Sequence, residues 1–336
     1  MKTHHPRVSV AIPLFNEEPG IHELLLRVCA VLDKLPGGPH EIVLVDDGST
    51  DRTFELLEAA AHADDRLIVL KLSRNFGHQA ALTAALDHVT GDVTMVLDGD
   101  LQDPPELIPR FLELHAEGND VVYARRVNRK ESWVRRTVYF CFYRILDRLS
   151  STRVPLDAGD CGLVSRRVVD LLRQMPERHR YIRGMRSWLG FRQTALPVDR
   201  PARYAGTTKY TWQRLVGLSF DGIFAFSTVP IRTTLVFGLV AIALSIVFGF
   251  YALFAKLFMA GNPRGFTALT LLIIFLSGVN LFFLGIIGEY VGRIYEQSKS
   301  RPMYVTDRIV GNGMDSSSRR SHVIVNQRSL PTIEVG

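Results

Sequence analysis

The sequence predicts an α/β protein whose mostly parallel sheet is covered on both faces, followed by a pair of membrane-spanning helices. Three observations carry that prediction. Short runs that are apolar throughout alternate with amphipathic stretches of helical period. Those runs end in polar, acidic turns at Asn16-Glu17, Asp46-Asp47 and Asp98-Gly99-Asp100. Two later runs, Thr233–Ala255 and Phe266–Gly288, carry no charge, and each is long enough to cross a hydrocarbon core of about 30 Å. The composition agrees. Of 336 residues 47% are hydrophobic and 22% charged, the average of one soluble and one membrane part.

Arg7–Pro13 reads as the first strand, followed by a polar turn, Leu14 to Pro19, and a helix to about Lys34. Gly37-Gly38-Pro39 breaks that helix. Glu41–Val45 is the second strand, closing in Asp46-Asp47-Gly48-Ser49-Thr50-Asp51, with Ser49 or Thr50 capping a helix to about Ala63. Leu67–Leu72 is the third strand and Val93–Leu97 the fourth. The fourth stops at Asp98-Gly99-Asp100; Asp103, Pro104 and Glu106 then have the spacing of a capped helix start. Asp120–Ala124 is a fifth strand.

An isolated D-x-D is more often a solvated turn than a site. Here three acidic turns gather at the carboxyl ends of strands, where open α/β sheets bind ligands. Two hard oxygen ligands in a tight loop suit Mg²⁺ or Mn²⁺ shared with substrate phosphates. A dinucleotide-binding domain is set aside, since no G-x-G-x-x-G follows the first strand.

From Arg125 the charge changes sign. Arg125, Arg126, Arg129, Lys130, Arg135, Arg136, Arg144 and Arg148 are interleaved with Trp133, Tyr139, Phe140, Phe142 and Tyr143. The pattern suits an anionic membrane surface or a phosphate-bearing lipid. Nucleic acid is set aside in view of the apolar runs that follow. Leu156–Gly162 reads as a further acidic turn before a helix over Arg166–Gln174, and Tyr181–Met185 as a short helix. Val198–Tyr210 reads as a loop in which Arg203 and Lys209 flank Gly206, an arrangement suited to clamping phosphates.

Tyr210–Thr228, with Trp212, Phe220, Phe224 and Phe226, is expected along the membrane surface. The two apolar runs then form a hairpin. Arg214 and Arg232 precede it and Arg293, Lys299 and Arg301 follow, while the connection holds only Lys256 and Arg264. The positive-inside rule therefore expects the large domain in the cytoplasm. Cys29, Cys141 and Cys161 have no C-x-x-C spacing and suggest neither a disulfide framework nor a zinc site, consistent with a reducing compartment. Met1–Arg7 lacks the apolar core of a signal peptide. The expected division is a catalytic domain over 1–209, a juxtamembrane segment over 210–232, the hairpin over 233–292, and a tail over 293–336 disordered after 305.

A metal-holding acidic rim, clustered cations and a membrane hairpin together suggest transfer of a sugar from a nucleotide sugar to a lipid phosphate. The turn Ala11–Glu18, the Val45–Ser49 segment and Leu97–Gln102 resemble family 2 glycosyltransferases with the GT-A fold. Leu156–Asp160, Arg183-Gly184-Met185, Arg203–Tyr210 and the hairpin narrow the resemblance to polyprenyl-phosphate glycosyltransferases, including bactoprenol glucosyltransferases and dolichyl-phosphate mannose synthases. The resemblance covers roughly residues 7 to 300.

The resemblance implies that Pro13, Glu17 and Asp46 contact the nucleoside, with Asp47 nearby. Asp98, Asp100 and Gln102 would hold the metal and the donor diphosphate, Asp98 and Asp100 being the metal ligands. Asp157 and Asp160 would lie beside the reacting sugar, with Asp160 the better catalytic candidate, and Arg203 and Lys209 would bind phosphate. Many relatives have Phe-Arg where this chain has Cys161-Gly162, so Arg126 or Arg136 is expected to supply the missing cation. The expected reaction is metal-dependent and inverting, moving glucose from a UDP-sugar to undecaprenyl phosphate at a bacterial inner membrane. GDP-mannose-dependent mannosyl transfer is the alternative. A non-catalytic nucleotide-sugar or lipid scaffold is the rival of another class. A processive polysaccharide synthase is disfavoured because no Gln-x-x-Arg-Trp motif is present. A homo-oligomer suits a chain with two spans.

Overall fold

The sheet is built outward from strands with almost no polar side chains. β1 (Val8–Leu14), β2 (Glu41–Asp46), β3 (Leu67–Leu72) and β4 (Val93–Val96) form its centre. The computed structural model describes residues 5–127, 158–178, 180–199, 229–258 and 265–311. Every residue of β1, β2 and β4 is buried, as strands covered on both faces require. β1 pairs in parallel with β2 on one side and β4 on the other, and β2 in parallel with β3. Strand order thus reverses between β1 and β4, and the crevice beyond their carboxyl ends is where such sheets take ligands.

Four more strands complete the order β7-β5-β6-β4-β1-β2-β3-β8. They are β5 (Val121–Val127), β6 (Ala158–Ser165), β7 (Gln193–Asp199) and β8 (Thr306–Val310). β6 runs antiparallel to both β4 and β5, and β7 runs parallel to β5. Helices α1 (Ile21–Leu32), α2 (Thr53–Ala63) and α4 (Ile108–Ala116) pack with the sheet face carrying Val8, Val10 and Ile12. Helices α3 (His78–His88), α5 (Arg166–Gln174) and α6 (Ile182–Trp188) pack with the face carrying Ala11, Val43 and Val45. In α3 the inward positions include Ala80, Ala81, Ala84 and Ala85, small enough for close approach to the sheet.

Several expectations are corrected. Leu156–Gly162 is not simply a turn, because its last residues form β6, inserted between two strands. The loop expected from Val198 begins inside β7. Thr306–Val310, expected to be disordered, is β8, paired antiparallel with β3. Neither α2 nor the 3-10 turn over Pro105–Leu107 takes a side-chain cap. Glu106, expected in a capping box, forms a bidentate pair with Arg27 of α1 at 2.7 and 2.6 Å, since a charged fork competes well with a backbone N–H for a carboxylate.

The chain divides into two compact units, with residues 301–311 belonging to the sheet unit. The second unit contains α7 (Val229–Phe258) and α8 (Phe266–Ser298), which contact each other through Phe237 and Phe283, ring centroids 5.6 Å apart. Among the described residues one helical stretch, Phe275–Ser298, is long and apolar enough to cross a membrane by length and composition. The apolar stretch of α7, Val236–Tyr251, is shorter. Of the expected juxtamembrane segment 210–232, residues 210–228 lie outside the described residues and 229–232 are the first turn of α7.

A buried polar knot closes the end of the sheet opposite the crevice. Glu41, 4% exposed, accepts hydrogen bonds from Ser9 Oγ at 2.5 Å, Thr90 Oγ1 at 2.7 Å, Arg7 at 3.0 Å and the Thr90 backbone N–H. Burial alone would raise its pKa, but the bonds from Ser9 and Thr90 and the Arg7 charge outweigh burial and lower it. A carboxylate with a depressed folded pKa contributes stability above its unfolded pKa of about 4.3, and loses it as pH falls through the folded value. Glu41→Gln is therefore expected to lower the urea midpoint at pH 7, by an amount equivalent to about 1–3 kcal/mol. It should also flatten the loss of stability between pH 5 and 3, which urea titrations across that range would show.

Candidate active site

Two turns with left-handed backbone lie at the β1/β4 switch point. Asn16, just past β1, and Leu101, just past β4, have φ of 54° and 57°. Left-handed backbone is rare for a leucine and costs of order 1–2 kcal/mol; such outliers cluster at functional sites. The Asn16 turn is tied to the turn after β2. Asn16 N donates to Ser49 Oγ at 2.9 Å and Asn16 Oδ1 accepts from Thr50 N at 2.8 Å. Glu17 N donates to Thr53 Oγ1 at 3.0 Å. The hydroxyls expected to cap α2 are used to join two rim loops. Pro13 lies in β1 opposite Val45.

Asp46 and Asp47 have different surroundings. Asp46 is fully buried at the end of β2 and accepts from Ser49 N at 3.3 Å to each oxygen. Burial pushes its carboxyl up against those bonds. Asp47 is 2% exposed, and its two oxygens take Phe76 N at 2.7 Å and Gly77 N at 2.9 Å. Burial again pushes the carboxyl up, opposed by the two backbone donors. Asp47 therefore holds the loop after β3. Gly77, at φ 98°, allows that loop to turn directly into α3.

Asp98 and Asp100 sit on the turn after β4, with the Asp98 side chain 23% exposed. Asp100 Oδ1 accepts from Gln102 N at 3.1 Å, bracing the turn. Among the described residues no three His, Cys, Asp or Glu groups form a ready-made metal cage. Two carboxylates on one turn nevertheless fit Mg²⁺ or Mn²⁺, which are commonly bound by one or two carboxylates plus substrate phosphates.

Asp160 lies on β6, next to β4 in the sheet. Its side chain is 8% exposed. Arg183 of α6 grips it with Nε at 2.7 Å to Oδ1 and a terminal nitrogen at 3.0 Å to Oδ2. His78 Nε2 stands 3.5 Å from Oδ2, and the Gln79 amide donates to the same oxygen at 3.5 Å. Burial opposes ionisation, but the Arg183 charge and the hydrogen bonds from His78 and Arg183 hold the carboxyl well below the usual range. His78 Nε2 is also 4.0 Å from Asp98 Oδ1. For His78, burial opposes protonation, and the bond to Asp160 with the charges of Asp98 and Asp160 outweighs burial and raises its pKa.

A second cation lies behind β6. Arg186 is 3% exposed, donates to the Gly159 carbonyl at 3.2 Å, and burial brings its pKa down to about 10. Gly162 makes room for this packing, since a Cβ there would come within 2.6 Å of the Val122 carbonyl oxygen and 3.4 Å of Arg186. Arg183 and Arg186 thus bring positive charge to β6 at the Cys161-Gly162 departure.

Asp157, Arg136, Arg203 and Lys209 lie outside the described residues, and Arg126 is described only through its place in β5. His78, Gln79 and Arg186 were not foreseen, and Arg183 was noted only as part of a motif. The signal for the first two was present: Ser73-Arg74-Asn75-Phe76-Gly77-His78-Gln79 is the polar stretch after β3, on the same rim as the acidic turns.

An acidic rim at the switch point of a mostly parallel sheet, faced by an anion on an antiparallel neighbour strand, is the arrangement expected from the resemblance to GT-A glycosyltransferases. A sequence profile described as Glycosyl transferase family 2 matches residues 9–172. Similarity to individual proteins runs over nearly the whole chain. It is 39% identical to the glycosyltransferase YkcC of Bacillus subtilis over 92% of this chain and 96% of that one. It is 36% identical to the bactoprenol glucosyl transferase of Shigella phage SfX over 89% and 98%. It is 34% identical to the undecaprenyl-phosphate 4-deoxy-4-formamido-L-arabinose transferase of Enterobacter sp. strain 638 over 94% and 97%. The chain belongs to glycosyltransferase family 2.

Proposed function

We propose that this enzyme transfers glucose from UDP-glucose to the phosphate of undecaprenyl phosphate in a single displacement that inverts the anomeric carbon. The observation that carries the reading is the juxtaposition of the Asp98–Asp100 turn with Asp160 across neighbouring strands, His78 standing between Asp98 and Asp160. The similarity to a bactoprenol glucosyl transferase over 98% of that protein's length supports the sugar and the lipid acceptor.

In this reading a lipid phosphate oxygen forms the new bond to the anomeric carbon while the bond from that carbon to the donor diphosphate breaks. The bonding pair leaves with UDP. Pro13, Glu17 and Asp46 border the nucleoside; Asp98, Asp100 and Gln102 hold the diphosphate end. A bound Mg²⁺ or Mn²⁺ at Asp98 and Asp100 supplies positive charge to the departing diphosphate. A phosphate monoester has a second pKa of about 6, so the acceptor is largely ionised at neutral pH and a strong base is not required. Asp160, with both oxygens taken by donors, acts as a fixed negative charge beside the carbon on which positive charge develops. Asp157 shares the acidic segment with it. Arg126, Arg136, Arg203 and Lys209 are the proposed acceptor-phosphate cations.

The membrane reading is a two-span hairpin of α7 and α8 in a bacterial inner membrane, with the sheet unit in the cytoplasm. It is supported by the apolarity of Phe275–Ser298 and by outward apolar side chains such as Phe250, Leu281 and Phe282, each more than 60% exposed.

The test uses purified protein in detergent with undecaprenyl phosphate and Mg²⁺ or Mn²⁺. Labelled UDP-glucose, UDP-galactose, UDP-N-acetylglucosamine and GDP-mannose are offered separately and the organic phase is counted. Label is expected to enter the lipid from UDP-glucose and to be lost in Asp100→Asn, with UDP still bound. Transfer from GDP-mannose alone would replace the glucosyl reading with the mannosyl one. Binding of nucleotide sugar without transfer from any donor would favour a scaffold.

A further inference from the structure

The loop after β3 brings a residue into the site that lies outside the set of carboxylates and cations given roles above. Asp47 clamps Phe76 N and Gly77 N, and α3 begins one residue later at His78. The imidazole Nε2 faces two carboxylates, 3.5 Å from Asp160 Oδ2 and 4.0 Å from Asp98 Oδ1. An ionised carboxylate only accepts, so the ring nitrogen facing it is the one carrying a proton. Gln79 braces the same point, with its amide toward Asp160 at 3.5 Å and its carbonyl accepting from Ile182 N, at the start of α6, at 3.0 Å. Nearly half of the His78 side chain, 45%, is still exposed although one edge is engaged. Burial in the core therefore does not explain its position.

We propose that His78 is a positioning residue for sugar transfer: its Nε2–H holds the Asp160 carboxylate at a set place relative to the Asp98 turn, so that the fixed anion and the diphosphate-holding carboxylates act as one constellation. The proposal rests on the transfer reaction proposed above. The geometry gives His78 a role that Arg183 does not duplicate. Arg183 approaches Asp160 from α6 and Gln79 braces it from α3, whereas His78 reaches Asp160 from α3 and also stands beside the turn after β4. Asp47, through the 76–77 backbone, carries the turn after β2 into the same arrangement.

The experiment compares full-length parent, His78→Ala, His78→Gln, Asp160→Asn and the His78→Ala/Asp160→Asn double variant in detergent, with undecaprenyl phosphate and the donor identified by the transfer assay. Removing a group that orients another typically costs about 10–100-fold. His78→Ala is expected to lose that much in kcat while donor KM and calorimetric UDP affinity stay within about 3-fold. His78→Gln, whose amide nitrogen reaches a similar point, should regain most of the rate. The double variant should be nearly as active as Asp160→Asn alone, because the histidine acts through that carboxylate. A glutamine variant as slow as the alanine one, losses that multiply in the double variant, or a change confined to KM would overturn the proposal.

A second readout needs no turnover. In protein carrying ¹⁵N-histidine, the Nε2-bound proton of His78, assigned by its loss in His78→Gln, is expected in the parent and absent in Asp160→Asn. An unchanged signal in Asp160→Asn would refute the contact. A parent that transfers no sugar would instead refute the reaction while leaving the contact to be judged by this spectrum.

Discussion

Asp160→Asn is expected to lower kcat for sugar transfer by about 10²–10³-fold, the usual loss when a preorganised electrostatic group is removed. Donor KM should change little, because the interaction is one made mainly as charge develops. The physical reason lies in the donors around the carboxylate. Arg183 makes two hydrogen bonds to it, Gln79 adds a third at 3.5 Å, and His78 Nε2 stands 3.5 Å from the same oxygen as Gln79. Asparagine keeps the shape but loses the charge, and the Arg183 guanidinium is left facing a neutral amide. Breaking one side of a buried pair typically costs about 3–5 kcal/mol; Arg183 is 25% exposed, which places the expected loss toward the lower end.

The same substitution changes the response to acid. Asp160 has a folded pKa well below its ordinary value, set against burial by Arg183 and by the hydrogen bonds of His78 and Arg183. Its contribution is fully present above the unfolded pKa of about 3.9 and disappears as pH falls through the folded value. Urea midpoints of the parent should therefore fall more steeply below about pH 4 than those of Asp160→Asn. Equal slopes would mean that the Arg183–Asp160 pair contributes nothing to acid stability.

Removing residues 301–336 is expected to unfold or aggregate the sheet unit, although the cut lies beyond both long helices. β8 covers the edge of β3, so deleting it exposes a row of unpaired backbone groups, a template for association with other chains. Tyr304 goes with it. That side chain is 5% exposed, packs in the core on the α3 face, and donates to Asp87 at 3.0 Å. Val310, 4% exposed, belongs to the core on the other face, and Arg308 pairs with Glu58 at 2.9 Å. Loss of one buried aromatic alone costs about 3–5 kcal/mol. In a unit of this size that amounts to a drop of about 10 °C or more in Tm. A deletion that stops after Gly311 keeps the strand and serves as the comparison. Equal melting temperatures for the two deletions would show that β8 contributes no stability. The helical pair is on this account an insertion in the catalytic fold, joined to it at both ends, since the chain returns to the sheet after Ser300.

The parts of this protein that were legible in its sequence are those whose signal is local. β1, β2 and β4 are apolar because both of their faces are buried, and such a run ending in Asp46-Asp47 or Asp98-Gly99-Asp100 needs no partner to be recognised. The family resemblance rested on the same short stretches, and the similarity found over most of the chain agrees with it. Tertiary structure decided the rest. Gly159, Asp160 and Gly162 are turn residues by local preference, yet pairing with β4 and β5 makes them a strand, and the absence of a side chain at Gly162 is what admits the Val122 carbonyl. β8 is a short, largely polar edge strand whose partner β3 is more than 230 residues earlier in the chain. The hydroxyls and the glutamate expected to cap helices found partners that sequence spacing cannot show: Asn16 for Ser49, and Arg27 for Glu106. His78 and Asp160, 82 positions apart, meet only because α3 and β6 begin at the same rim of one sheet. Burial on two faces leaves a record in every residue of a strand, whereas a single contact between distant side chains leaves none until the chain has folded.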